Sequence, residues 1–389
     1  MSNRYNKSMT DEKERNKMEK SKVYFMNMRT KDGDNLPKKL GRLIKKAGIE
    51  NIDFQDKFTA IKIHFGEPGN LAYLRPNYAK VVVDIVKELG GKPFLTDCNT
   101  LYVGGRKNAL DHIESAYVNG YSPFSTGCHI LIGDGLKGTD DVLVPVEGGE
   151  YVKEAKIGRA VMDADVIISL SHFKGHEAAG FGGALKNLGM GCGSRAGKME
   201  MHNAGKPFVH EDSCIGCGAC VRICAHDATS ITDRKASIDE DKCVGCGRCI
   251  GVCPKDAIQT LNDEAFDILN YKIAEYTKAV VDGRPNFHIS LVIDVSPYCD
   301  CHAENDVAIV PDVGMFASFD PVALDVACAD AVNAQMPSEG SMLDECIHEG
   351  HDHHDHFTTI GPDTNWKTAI SHGKKLGIGN DEYELVEVK

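Results

Sequence analysis

The chain has 389 residues, a net charge of −13, 42% hydrophobic residues and 26% charged residues. That balance fits a globular protein with one large core and space for an insert, and it excludes a disordered chain. The negative charge argues against sequence-independent nucleic-acid binding, and no apolar run approaches the roughly 18 residues of a spanning helix.

Met1–Lys22 is polar and charged without an apolar secretion signal, so it reads as a disordered tail and the cytoplasm is the expected location. Alternating elements follow. Val23–Met26 reads as a strand, Leu36–Ala47 as a helix, Thr59–Phe65 as a strand and Asn77–Leu89 as a helix. Pro93–Thr96 is a strand, Lys107–Val118 and Glu154–Met162 are helices, and Ala164–Leu170 is a buried strand. After residue 261 come a helix over Phe266–Val281, a strand over His288–Val295 and a helix over Pro321–Val332. The order predicts an α/β fold, a mostly parallel sheet with flanking helices. Residues 23–205 and 262–389 would form this domain around a module spanning 206–261. A tandem arrangement is the alternative, and the C-terminal part looks short of strands for it.

The module carries eight cysteines in forty residues, Cys214-x2-Cys217-x2-Cys220-x3-Cys224 and Cys243-x2-Cys246-x2-Cys249-x3-Cys253-Pro254. This is the ligand pattern of a two-cluster bacterial ferredoxin, in which the fourth cysteine of each run crosses to the other cluster. One [4Fe-4S] cluster would take Cys214, Cys217, Cys220 and Cys253, the other Cys243, Cys246, Cys249 and Cys224. Glu211–Ala228 repeats as Glu240–Ala257 at an offset of 29, which predicts a pseudo-symmetric unit. Zinc sites pair two Cys-x2-Cys hooks instead, and the absence of an export signal argues against disulfides. Fifteen cysteines in all suit an oxygen-poor cytoplasm.

The second informative stretch runs from Ser169 to Arg195 and follows the buried strand directly. Ligands of parallel sheets bind beyond the carboxyl ends of strands, so His172, Lys174, His176 and Lys186 are candidate catalytic groups. Gly180, Gly182 and Gly183 would let backbone amides approach an anion at a helix start, with Arg195 as a further cofactor-binding cation. A solvated loop with packing glycines is the plainer reading, against which stands the crowding of long cations, Lys198 included.

Elsewhere, Cys299-Asp300-Cys301-His302 offers soft donors for a further metal, although two cysteines do not close a site and Cys192 or Cys128 would have to come near. Cys98, Cys328 and Cys346 read as core residues. His348, His351, His353, His354 and His356 form a histidine-rich tract able to capture zinc or nickel. Asp320 reads as a helix cap before Pro321.

Ser171–Cys192 (SHFKGHEAAGFGGALKNLGMGC), the cysteine module after it, Asp294–Cys301 and Phe316–Asp325 together resemble the iron-sulfur proteins that bear the domain of unknown function numbered 362. The resemblance covers most of the chain after the tail and implies no settled reaction. The run from His176 to Lys186 is also similar to the motif of nickel-dependent lactate racemase and its relatives. There a histidine is the acid/base, a lysine ten residues on carries a nickel-pincer cofactor and a further histidine ligates the metal. Lys186 and His202 stand at compatible spacings. A second catalytic histidine is not evident around Asp97–Thr100.

The expectation is an iron-sulfur protein whose two clusters pass electrons to a redox reaction in the α/β cleft. A redox partner protein or small-molecule donor would supply the electrons to an oxidoreductase acting on a small molecule, without nucleic acid or membrane. The alternatives are an electron carrier or metal-handling scaffold without catalysis, and a metal-dependent isomerase with structural clusters.

Overall fold

The computed structural model describes residues 20–101, 104–202, 207–224, 226–243, 248–260, 266–350 and 354–389. Cys246, His351, His353 and most of the expected tail lie outside these. Ser21 and Lys22, assigned to the tail from sequence, already belong to the first strand.

Eight strands form one sheet: β1 (Ser21–Asn27), β2 (Phe58–Lys62), β3 (Lys92–Asp97), β4 (Ile130–Ile132), β5 (Val166–His172), β6 (Asn286–Val292), β7 (Gly314–Ser318) and β8 (Tyr383–Glu387). Their order is β8-β1-β7-β6-β5-β2-β3-β4, and β7 alone among them runs antiparallel to its two neighbours. The central strands are apolar on both faces because helices cover both sides, as parallel sheets require. Successive residues face opposite layers: Ala60, Phe94, Ile167, Val292 and Phe316 enter one core, Ile61, Leu95, Ile168, Leu291 and Met315 the other.

Helices α1 (Leu36–Lys46), α2 (Pro76–Glu88) and α3 (Ala109–Val118) flank the second core, and α4 (Ala184–Cys192) the first. A two-turn helix, α5 (Arg195–His202), then leads to the cysteine segment, and α6 (Phe266–Val281), α7 (Pro321–Asn333) and α8 (Lys367–Lys375) return to the first core. The segments before and after the cysteines therefore share one sheet, with β5 paired to β6. Glu154–Met162, expected as one helix, is instead a strand over Glu154–Gly158 paired with Asp141–Pro145, followed by one turn over Arg159–Met162. Pairing overrides the helix-favouring Glu-Ala-Lys composition there.

The cysteine segment repeats itself in space. The short helices Ala219–Ile223 and Arg248–Gly251 begin 29 residues apart. The Ala228 N–H donates to the Cys224 sulfur at 3.4 Å and the Ala257 N–H to the Cys253 sulfur at 3.3 Å. Asp227 and Asp256 both adopt a left-handed backbone, with φ of 50° and 49°. Two ribbons, Pro207–Val209 with Ile258–Thr260 and Thr229–Thr232 with Lys235–Ile238, complete the described part.

Candidate functional site

The carboxyl ends of β2, β3 and β5 meet the turn after β6 in a cleft of about 760 Å³, open mouth included. Its walls include Lys62 and His64 from the end of β2, Asp97 from β3, His172, Lys174 and His176 from the end of β5, Lys186 from α4, Lys198 and His202 from α5, and Cys299 and Cys301. All four candidate catalytic residues line it.

Asp300 organises the buried side, and its importance was hidden between two cysteines in the sequence. Its carboxylate lies 2.9 Å from His172 Nδ1 and 3.3 Å from the Lys174 ammonium. Burial opposes its ionisation, but His172 and Lys174 beside it outweigh that and hold its pKa well below the usual carboxylate range. His172 Nε2 faces the Ile293 carbonyl at 2.8 Å, so both ring nitrogens of His172 are engaged and the ring serves as a positioned support. Lys62 pairs with Asp97 at 3.0 Å and donates to Asn187 at 2.8 Å. Gly191 lets it through, since a Cβ there would collide with the Lys62 side chain. Arg106 donates to Glu67 at 2.7 Å and lies 3.0 Å from His64 Nε2. Burial and the Arg106 charge push the His64 pKa well below its ordinary value, which keeps the ring neutral.

The open side centres on Cys299. His176 Nδ1 accepts the N–H groups of Ala178 at 3.1 Å and Ala179 at 3.0 Å, an arrangement that assigns the ring proton to Nε2. His176 helps to hold down the Cys299 thiol, and the Lys186 ammonium donates to that sulfur at 3.5 Å. Hydrogen bonding from Cys301, then the Lys186 charge and the His176 contact, outweigh burial and hold the Cys299 thiol well below its normal pKa. Burial lowers the Lys186 pKa, but Cys299, Cys301 and Glu177 outweigh it and leave it raised. Burial, then Lys186 and His176, push His202 down to about 3. The cleft thus sets a thiol whose pKa is lowered against a lysine whose pKa is raised, and keeps two imidazoles, His64 and His202, neutral beside them.

The glycine motif does different work from that expected. The N–H groups of Ala184 and Leu185, which open α4, are held by the buried Asp325 carboxylate at 2.6 and 2.9 Å. A Cβ on Gly183 would collide with that carboxylate. Gly182 and Gly183 line the cleft but the Asp325 carboxyl already fills their helix start, while Gly180 packs against Trp366. Arg195, expected on a cofactor, donates to the carbonyls of Lys137 and Lys107 and ties loops together outside the cleft. Asp320 caps α7, accepting Val322 and Ala323 N–H at 2.9 Å.

In the cysteine segment, Cys214, Cys217, Cys220 and Cys253 line one cavity whose other walls include Ile215, Ile231, Ala236, Ala257, Ile258 and Lys255. The donors are four thiols around largely apolar space, and the Ala236 N–H donates to Cys214 at 3.3 Å. These residues fit a cubane. Cys224, Cys243 and Cys249 belong to the described residues, whereas their expected companion Cys246 does not. Of the histidine tract, His348 is exposed and near Asp344 at 3.5 Å, and His356 is buried against the Gln335 carbonyl at 3.0 Å. Cys98 and Cys328 are core residues, Cys346 half-buried.

α5 joins the two regions. Lys198 and His202 line the cleft, while Met199 packs in the core that holds Cys220, Ala236, Cys249, Ile250 and Ile258. Leu101, beyond β3, enters the same core.

A family model described as a domain of unknown function (DUF362) matches residues 59–330. A thylakoid-associated protein of Synechocystis sp., sll1697, is 30% identical over 139 residues, 34% of this chain, and the chain spans 36% of that relative. The lactate racemase apoprotein of Thermoanaerobacterium thermosaccharolyticum is similar in structure with a TM-score of 0.40 and 10% identity, covering 95% of this chain and 83% of that one. A Thermotoga maritima protein gives a TM-score of 0.39 at 14% identity over 76% of this chain and 57% of its own. Among the described residues no helix is long and apolar enough to cross a membrane.

Proposed function

The chain belongs to the DUF362 family, whose description names no reaction, and from its site chemistry we propose an iron-sulfur oxidoreductase. Two [4Fe-4S] clusters held by the eight module cysteines would supply single electrons to a small molecule in the cleft. The supporting observation is α5: one helix, about 10 Å across, touches both the cysteine core and the cleft. Side chains of one helix that reach both regions suit electron delivery without a moving carrier.

Within the cleft, Lys186 and Cys299 form a charged pair that can stabilise developing negative charge and exchange a proton. His176, with its proton assigned to Nε2, is aimed at the same sulfur. Asp300 keeps His172 and Lys174 in place behind them. These six residues orient the substrate and move its proton, and the clusters contribute the electron chemistry.

The test begins with iron and acid-labile sulfide on anaerobically purified protein, expected at about eight of each per chain. Reduced protein is then mixed with a panel of 2-oxo acids and unsaturated carboxylates, and cluster reoxidation is followed optically. An acceptor that reoxidises the wild type but not Lys186→Ala, whose cluster spectra match, supports the reading. Equal reoxidation of both proteins by every acceptor leaves an electron carrier and overturns the catalytic role.

A second reading, metal-dependent isomerisation with structural clusters, draws on the meeting of His176, Lys186 and His202 in one cleft. Racemisation of a 2-hydroxy acid without any change in cluster oxidation state would favour it.

A further inference from the structure

At the mouth of the cleft two turns converge. Glu177 follows His176 in the turn between the short paired strands Lys174–His176 and Gly180–Gly182, and Cys301 and His302 end the turn after β6. A carboxylate oxygen of Glu177, the Cys301 sulfur and a ring nitrogen of His302 all lie within 4.8 Å of one another, with His302 Nε2 3.1 Å from Glu177 Oε1. Tetrahedral zinc with bonds of about 2.0–2.3 Å sets its ligands about 3.3–3.8 Å apart, so small side-chain rotations close this set on an ion.

We propose that Glu177, Cys301 and His302 form a site for a borderline divalent ion, zinc in the first instance, with its fourth position open to the cleft beside Cys299. The donor set is one thiolate, one imidazole and one carboxylate, the mixture that zinc accepts and that magnesium or calcium does not. Three protein ligands and one open position are the pattern of a catalytic rather than structural zinc site. Cys301 releases its proton to solvent on binding, and Cys299, held by Lys186 and His176, borders the vacant position. An oxygen of the substrate would bind there, polarised by the ion and within the reach of Lys186 and His176.

The plainer account is an ion pair between half-exposed His302 and Glu177, which needs no metal. Beyond that pair, the sulfur of Cys301, which also engages Cys299, stands within the same 4.8 Å and completes a set of three donors. The inference rests on the cleft being a reaction site, but its test reads zinc and not turnover or iron, so the two can fail separately.

Tag-free full-length protein, purified anaerobically with its iron retained, is equilibrated with zinc alone. One zinc per chain is expected to survive gel filtration, with zinc K-edge absorption giving one sulfur at about 2.3 Å and nitrogen or oxygen at about 2.0–2.1 Å. Cys301→Ser, and separately Glu177→Gln and His302→Gln at half-exposed positions that folding tolerates, should each weaken zinc binding at least about tenfold while iron stays constant. A wild type that retains no zinc overturns the proposal. So does zinc retained unchanged in all three variants, or a shell of four sulfurs, which would place the ion among the module cysteines.

Discussion

The cysteine module and the cleft are assembled by opposite means. The module draws its donors from forty consecutive residues, Cys214 to Cys253, whereas the cleft draws its groups from positions as far apart as Lys62 and Cys301. A local site depends on chain spacing and a bound ion; a dispersed site depends on the sheet that brings its strand ends together. The first should fail piecewise and the second through its buried charges.

The largest effect follows from removing one of the proposed cluster ligands. Cys217→Ser should lower iron and sulfide from about eight to about four per chain, because the structure gathers Cys217 with Cys214, Cys220 and Cys253 around one cavity. Metal binding supplies folding energy to such a module, so local order in it should fall as well. The α/β domain has two cores of its own, and its far-UV circular dichroism should persist. Collapse of the whole fold in this variant would erase the contrast between the two regions.

Next comes Asp300→Asn. It leaves the Lys174 ammonium and a doubly engaged His172 without their buried counterion, at a cost of about 3–5 kcal/mol, measurable by urea unfolding. Iron content should not change. A loss below about 1 kcal/mol would mean that the cleft does not depend on its charge pairs.

How much of this was readable from residues alone follows the same division. The cysteine spacing suggested two ligand sets, of which the structure gathers Cys214, Cys217, Cys220 and Cys253 around one cavity, and the repeat of 29 reappears in the matched helices, N–H···S bonds and left-handed aspartates. His176 and Lys186 were legible because ten residues separate them and a buried strand precedes them. Asp300 was not, because its partner His172 is 128 residues away and only the pairing of β5 with β6 brings them together. The acceptor at the start of α4 was expected from outside the protein, yet it is the Asp325 carboxyl, some 140 residues on. Strand β7, short and with a glycine at its start, and the half-exposed β8 gave no clear alternation to read.

Asp325 offers a gentler test in pH. Burial raises its pKa to about 7, against the pull of the two N–H bonds from α4, and nearby Asp320 raises it further. Between about pH 4 and 7 the folded protein therefore holds a proton that the unfolded chain has released. This contribution is fully present below about pH 4 and is lost as pH rises through about 7. Unfolding free energy should decline across that window, and Asp325→Asn should flatten the decline. A slope unchanged in the variant would assign it to other groups.

The smallest effect is expected far from both regions, on the outer face of α2. Lys80 and Asp84 form a pair at 2.9 Å one helical turn apart, with each side chain about half exposed. Exposed pairs of this kind contribute about 0.3–0.5 kcal/mol, because solvent screens the charges and ordering two side chains costs entropy. Lys80→Ala should therefore shift the urea midpoint barely above error and leave iron and zinc contents unchanged. Against the several kcal/mol expected from Asp300→Asn, the ratio measures what the sheet does for the cleft. Similar chemical pairs differ in worth by nearly an order of magnitude according to whether eight strands have removed them from water. A Lys80→Ala loss as large as that of Asp300→Asn would mean that burial is not what distinguishes the cleft.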